Sequence, residues 1–211
     1  MDVVVAGGHG KVGLRLLRLL AARGDRARGL IRRAEQSGDL EAAGAEPVVC
    51  DMEREERLAP FVEGADAIVF AAGAGPGSRP ERKRTVDLGA AVKLIDAARE
   101  LGIARYIIVS AVGAGNPGRG SEQMRPYLEA KAQADEALAG SGLDFTIVRP
   151  GGLTDDPGTG RVAAGDVPRG DVPRDDVAAT LAVVLDEPGT VGKTFNLVGG
   201  DTPIEEAVRA L

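Results

Sequence analysis

Among the 211 residues there is one cysteine, one histidine and no tryptophan. A lone cysteine excludes an internal disulfide, and with a single histidine it leaves no Cys/His set for a structural zinc. Aromatic residues amount to 3% of the chain, two Tyr and four Phe, so stacking platforms for single-stranded nucleic acid are scarce. Basic charge is also in deficit. The formal net charge of −6 works against attraction to a phosphate backbone, and no nucleic-acid partner is expected. No window reaches about eighteen uninterrupted apolar residues, so no membrane span is expected. The start, Met1-Asp2-Val3-Val4-Val5-Ala6, lacks the basic and apolar regions of a signal peptide. Together these absences predict a reduced, cytoplasmic protein whose partner is a small molecule; monomer and homodimer both stay open.

What is present is an aliphatic core, with 44% hydrophobic residues, in a length that suits one domain over residues 1–211. Short apolar runs alternate with stretches of helical period, the pattern of βαβ units. The expected strands are Val3–Ala6, Ala27–Ile31, Pro47–Cys50, Ala67–Phe70, Arg105–Val109, Phe145–Val148 and Thr194–Val198. Several are nearly continuous in Val and Ile, as strands covered on both faces are. Leu14, Leu17, Leu20 and Ala21 mark one helix face within Val12–Arg23. Val86, Ala90, Leu94, Ala97 and Leu101 mark a second, and Ala130, Ala134, Ala137 and Leu138 a third. The predicted fold class is α/β, doubly wound, with a mainly parallel sheet of about seven strands and helices on both faces. The loops Gly73–Pro80 and Gly113–Gly120 follow strands directly and lie at the carboxyl edge, where such folds bind ligands. A third Gly- and Pro-rich stretch, Leu153–Arg174, is read as a loop.

Gly7, Gly10 and Gly13 form a G-x-x-G-x-x-G spacing, weak by itself but placed between the first strand and the first helix. Glycines there allow a tight turn and a close approach of backbone to a pyrophosphate, which the helix N-terminus attracts. Gly7, His9, Gly10, Lys11, Val12 and Gly13 are the candidate phosphate cradle. The only histidine, His9, is either a phosphate or ribose contact or a loop residue tolerated for its backbone. At the end of the second strand, where an NAD site carries Asp or Glu, the chain reads Ile31-Arg32-Arg33. A guanidinium suits a 2′-phosphate, so the sequence points to NADP(H) over NAD(H), with Arg32 as the phosphate ligand.

Tyr127 and Lys131 lie one turn apart on one helix face. A nearby ammonium is expected to lower the phenol's pKa and fit it for proton transfer to a carbonyl. Taken in order, Gly7-x-x-Gly10-x-x-Gly13, Asp51, Ala71-Ala72-Gly73, Asp87, Val109-Ser110, Tyr127-x-x-x-Lys131 and Val148-Arg149-Pro150-Gly151 resemble the short-chain dehydrogenase/reductase superfamily. The resemblance is narrower to its atypical, short NAD(P)H-binding Rossmann branch, NmrA-like or epimerase-like. It implies that Asp51 and Met52 contact adenine and that Ala71, Ala72 and Gly73 line the adenosine ribose. It also implies that Ser110 bonds a substrate carbonyl, that Tyr127 gives its proton, and that Lys131 holds the nicotinamide ribose and tunes Tyr127. Pro150, Gly151 and Gly152 would then sit beside the nicotinamide. Asp87, a further catalytic candidate, stands where the superfamily has the catalytic Asn of the ordinary proton relay, a departure from that pattern.

The function that follows is an NADPH-dependent oxidoreductase acting on a small carbonyl, quinone or flavin-like acceptor. A sugar-nucleotide epimerase and a non-catalytic NADP(H) sensor remain as alternatives. Cys50 reads as a small core residue. Arg79, Arg82, Lys83 and Arg84 read as a solvated face or as an attractor for an anionic substrate or for the cofactor's phosphates.

Overall fold

The computed structural model describes residues 1–75 and 77–211, and only the backbone of Pro80 and Arg119; Pro76, in the loop Gly73–Pro80, lies outside the described residues. The chain opens with β1 (Asp2–Ala6), α1 (Lys11–Ala22), β2 (Arg26–Ile31), α2 (Ser37–Ala42) and β3 (Glu46–Val49). It continues with α3 (Ala59–Val62), β4 (Ala67–Phe70), α4 (Pro80–Arg82), a π-helical segment Lys83–Ala90, α5 (Ala91–Leu101) and β5 (Arg105–Val109). Then come α6 (Arg125–Ala139), β6 (Asp144–Pro150), β7 (Gly152–Thr154), β8 (Arg161–Gly165) and β9 (Asp171–Pro173). The last elements are α7 (Arg174–Asp186), β10 (Lys193–Gly199), β11 (Thr202–Pro203) and α8 (Ile204–Arg209).

The main sheet runs β11-β8-β10-β6-β5-β4-β1-β2-β3. All seven expected strands are present and parallel, from β3 through to β10. The sheet has nine strands, which corrects the expected count of about seven. β8 and β11 extend it in antiparallel register beyond β10, and β7 pairs with β9 in a small separate sheet. Three of these four elements fall within the stretch Leu153–Arg174 that the sequence presents as a loop. The reason is local: Arg161-Val162-Ala163-Ala164-Gly165 holds a single large apolar residue, and its pairing partners lie far along the chain.

Alternation along β1 explains its unbroken apolar run. Val3 and Val5 enter one core with Leu16, Leu17 and Leu20 of α1 and Leu181 of α7. Val4 and Ala6 enter the other with Leu94 of α5 and Ala134 of α6. Both faces of the strand are buried, so neither can be polar. The expected helix faces hold, except that Leu16 carries full burial on α1 while Leu101 ends α5 exposed.

Register positions the site. Ala6 stands opposite Leu30 on one side and Phe70 on the other, so the segments after β1, β2 and β4 leave the sheet at one level. The chain winds outward from β1 to β3 and then returns to β4 on β1's other side. The crevice at that switch point is where open α/β sheets take ligands.

At the opposite edge, the Arg105 guanidinium donates to the Asp144 and Val184 carbonyls and to the hydroxyls of Thr146 and Thr190. It ties β5, β6 and α7 together, and burial lowers its pKa. Arg105→Met strands those acceptors, and urea unfolding is expected to show a loss of about 2–3 kcal/mol with cofactor affinity unchanged. An unchanged unfolding midpoint would refute that role.

Candidate active site

Gly7 turns the chain out of β1 in the left-handed region, at φ 81°. Gly13 brings α1 against that turn: a Cβ there would lie 2.3 Å from the Gly7 carbonyl oxygen. The amides of Gly8 and Gly10 are spent on Leu30 O and Gly7 O. Those of Lys11, Val12 and Gly13 have no acceptor among the described residues, and the N-cap Gly10 has no side chain to offer one. First-turn amides without acceptors, at the positive end of a helix dipole, fit the oxygens of a pyrophosphate.

Beside the cradle lies a cleft of about 370 Å³. Gly7, His9, Gly10, Leu30, Ile31, Arg32, Asp51, Met52 and Ala71 to Ala74 line it, so the residues expected to bind adenosine do converge there. Asp51 accepts the Glu53 amide and pairs with Arg54. The Met52 carbonyl accepts from Lys93. The His9 ring is held by Gln36 at 3.0 Å and by Asp39 at 2.7 Å. The Lys11 side chain leaves the cradle and pairs with Asp155.

Two further cavities extend the site in series. The first, about 650 Å³, shares Ala71, Ala72 and Gly73 with this cleft and is lined by Val12, Lys83, Asp87, Val109, Ser110, Met124, Tyr127 and Lys131. The second, about 890 Å³, shares Ser110, Met124, Tyr127, Leu153 and Arg174 with the first and adds Pro150, Gly151, Gly152, Leu128 and Arg169. Tyr127 stands in the wall common to both.

The expected Tyr–Lys tuning is corrected by the electrostatics. Lys131 is buried; its ammonium donates to Val109 O at 2.9 Å and to Ala72 O at 3.5 Å, and lies 3.4 Å from Asp87 Oδ1 as an ion pair. Burial lowers its pKa, against the pull of Asp87. The Tyr127 phenol is driven up instead of down, first by burial and then by the negative charges of Asp87 and Asp135. Asp87 reaches the site from the π-helical segment, a geometry found mostly at functional sites. It is fully buried and accepts the Ala74 amide on Oδ2.

Ser110 shows a second constraint. Its hydroxyl donates to Asp135 Oδ2 at 2.9 Å, and the same oxygen receives the Arg149 guanidinium at 2.9 Å. A hydroxyl has one proton, so Ser110 turns lone pairs toward the cavity. Asp135 and Arg149 were not singled out from sequence. Asp135 lies one turn beyond Lys131 on α6, so helical spacing was the available signal. Glu53 and Gln36, also in the adenosine cleft, had none. The basic cluster divides: Arg82 and Lys83 face the clefts, whereas Arg79 and Arg84 are exposed.

A family model described as NAD(P)H-binding matches residues 7–188. The chain belongs to this NAD(P)H-binding family. A Bacillus subtilis relative that carries the name uncharacterized sugar epimerase YhfK is 45% identical over all of both chains. A Bacillus halodurans structure, described as that of an NAD-dependent epimerase/dehydratase by assignment only, is 40% identical and covers both chains fully at a TM-score of 0.96. The Escherichia coli O157:H7 anaerobilin reductase ChuY is 27% identical, with 95% of this chain and 98% of that one superposed at a TM-score of 0.81. The chain therefore has the NAD(P)H-binding fold of oxidoreductases and epimerases. No described helix is long and apolar enough to cross a membrane.

Cys50 lines the adenosine cleft, yet its thiol is pushed up to about 12 by burial, with help from Glu55 and Asp51. A higher pKa means less thiolate. Iodoacetamide at mildly alkaline pH should therefore modify the folded chain on the order of a thousandfold more slowly than the urea-unfolded chain. Similar rates in the two states would show the thiol to be reactive.

Proposed function

We propose that the protein is an NADP(H)-dependent oxidoreductase that reduces a small carbonyl, quinone or flavin-like acceptor. One observation carries the reading: the Tyr127 phenol stands in the wall shared by two cavities, the first of which continues from the dinucleotide cleft. The residues fit the cofactor. The unpaired amides of Lys11, Val12 and Gly13 would hold the pyrophosphate, the cleft around Asp51, Met52 and Ala71 to Gly73 would take adenosine, and Arg32 would meet a 2′-phosphate. When bound in its reduced form, the nicotinamide supplies a hydride.

The rest falls to the chain's own side chains. Tyr127, protonated throughout the neutral range, is the proton donor to the acceptor's oxygen. Ser110 cannot give its proton while Asp135 holds it, so its role is to accept a hydrogen bond from the alcohol formed. Lys131, braced by Asp87 and two carbonyls, would exchange one of those partners for a ribose hydroxyl. Pro150, Gly151 and Gly152 shape the wall beyond.

The names of the two Bacillus proteins favour a second reading, a sugar epimerase, in which hydride is taken and returned. The two readings separate in one assay. Under the reductase reading, NADPH is consumed with a panel of carbonyls and quinones, Tyr127→Phe lowers kcat at least about a hundredfold, and NADPH affinity stays within about twofold. Interconversion of sugar nucleotides without net NADPH consumption would favour the epimerase. Cofactor binding without any turnover would favour a sensor.

A further inference from the structure

Neither the second strand nor the phosphate loop accounts for the charge at the outer corner of the adenosine cleft. Arg32, just past β2, and Arg82, the last residue of α4, line this corner from two unconnected elements. Both converge on one carboxylate. Glu53 takes the Arg82 fork at 2.7 and 3.4 Å and lies 3.8 Å from Arg32. Among the described residues neither arginine makes another ion pair. Glu53 also accepts the Thr85 hydroxyl at 2.8 Å.

Two guanidiniums around one carboxylate leave a unit of positive charge uncompensated. Both forks are half exposed, as a ligand entering from solvent requires. A phosphate monoester carries nearly two negative charges at neutral pH and three acceptor oxygens, so it satisfies this pair better than a carboxylate does. Thr85 offers Glu53 a partner that does not compete with the phosphate. The fork pulls the Glu53 pKa down, so the carboxylate stays charged across the neutral range.

We propose that Arg82 is the second jaw of a clamp on the cofactor's 2′-phosphate, and that Glu53 is an internal counter-ion seated between the jaws and displaced by that phosphate. The proposal rests on the reading of Arg32 as a 2′-phosphate ligand and adds two residues to it. Cofactor choice then becomes a competition between anions. With NADH, Glu53 keeps both arginines and faces a ribose hydroxyl that it can accept. With NADPH, the phosphate takes the arginines and Glu53 retreats to Thr85.

The test is calorimetric titration of the full-length protein with NADPH, NADH, 2′,5′-ADP and 5′-AMP, repeated for Arg32→Ala, Arg82→Ala and Glu53→Gln. Melting curves check each variant's fold, and Arg82→Gln replaces Arg82→Ala if the latter is unstable. Arg82→Ala is expected to weaken NADPH and 2′,5′-ADP about tenfold or more, leaving NADH and 5′-AMP within about twofold. Glu53→Gln is expected to tighten 2′,5′-ADP about threefold or more and to leave 5′-AMP unchanged. The clamp is overturned if Arg32→Ala loses 2′,5′-ADP while Arg82→Ala does not, or if Glu53→Gln weakens it. A wild-type protein that binds 2′,5′-ADP no better than 5′-AMP overturns the NADP(H) reading itself.

Discussion

Three backbone amides at the start of α1 have no acceptor among the described residues, and the packing of the first βα unit keeps them that way. The Gly7 turn and the close seating of Gly13 fix the helix start directly over the end of β1. β2 and β4 flank β1 and end at the same level, so their following segments reach the same crevice. If the amides were capped from within, the crevice would be a surface groove without a reason for an anion to enter. Left open, at the positive end of the helix dipole, they suit the switch point of the sheet to an anion.

Away from the cradle the site is governed by buried charge. Lys131 with Asp87, and Asp135 with Arg149, are pairs whose desolvation is offset only by close partners. Their arrangement decides what each nearby hydroxyl can do. Burial, and then the negative charges of Asp87 and Asp135, raise the Tyr127 pKa, while the Ser110 hydroxyl is committed to a hydrogen bond to Asp135. One oxygen of each carboxylate, Asp87 Oδ1 and Asp135 Oδ1, is buried without a hydrogen-bond partner. An unsatisfied buried carboxylate oxygen is costly, and such costs concentrate where function needs them.

The comparisons fix the family and leave the reaction to the site. Relatives named for epimerisation and for reduction share one chain length and one fold, as expected when hydride chemistry belongs to the cofactor and specificity to the loops around it. In this chain those loops gather Met124, Leu153, Arg169 and Arg174 around the larger cavities.

The sequence by itself determined the seven parallel strands, because a strand buried on both faces must read as an unbroken apolar run. It also determined the glycine loop, whose Gly10 and Gly13 are demanded by the close Gly7 carbonyl within one βα unit. Tyr127, Lys131, Ser110 and Asp87 were legible through resemblance, and the structure does bring all four to one cavity. Their protonation was not legible. The direction of the Tyr127 shift depends on burial and on Asp135 and Asp87, one of them from a distant helix, and spacing along α6 carries no information about either effect. The same holds for Glu53. The second strand ends without an acid, and an acid reaches that corner anyway from beyond β3. Only tertiary structure decided these points, since local periodicity records which face of an element is covered, whereas a charge responds to every group that folding brings within a few ångströms.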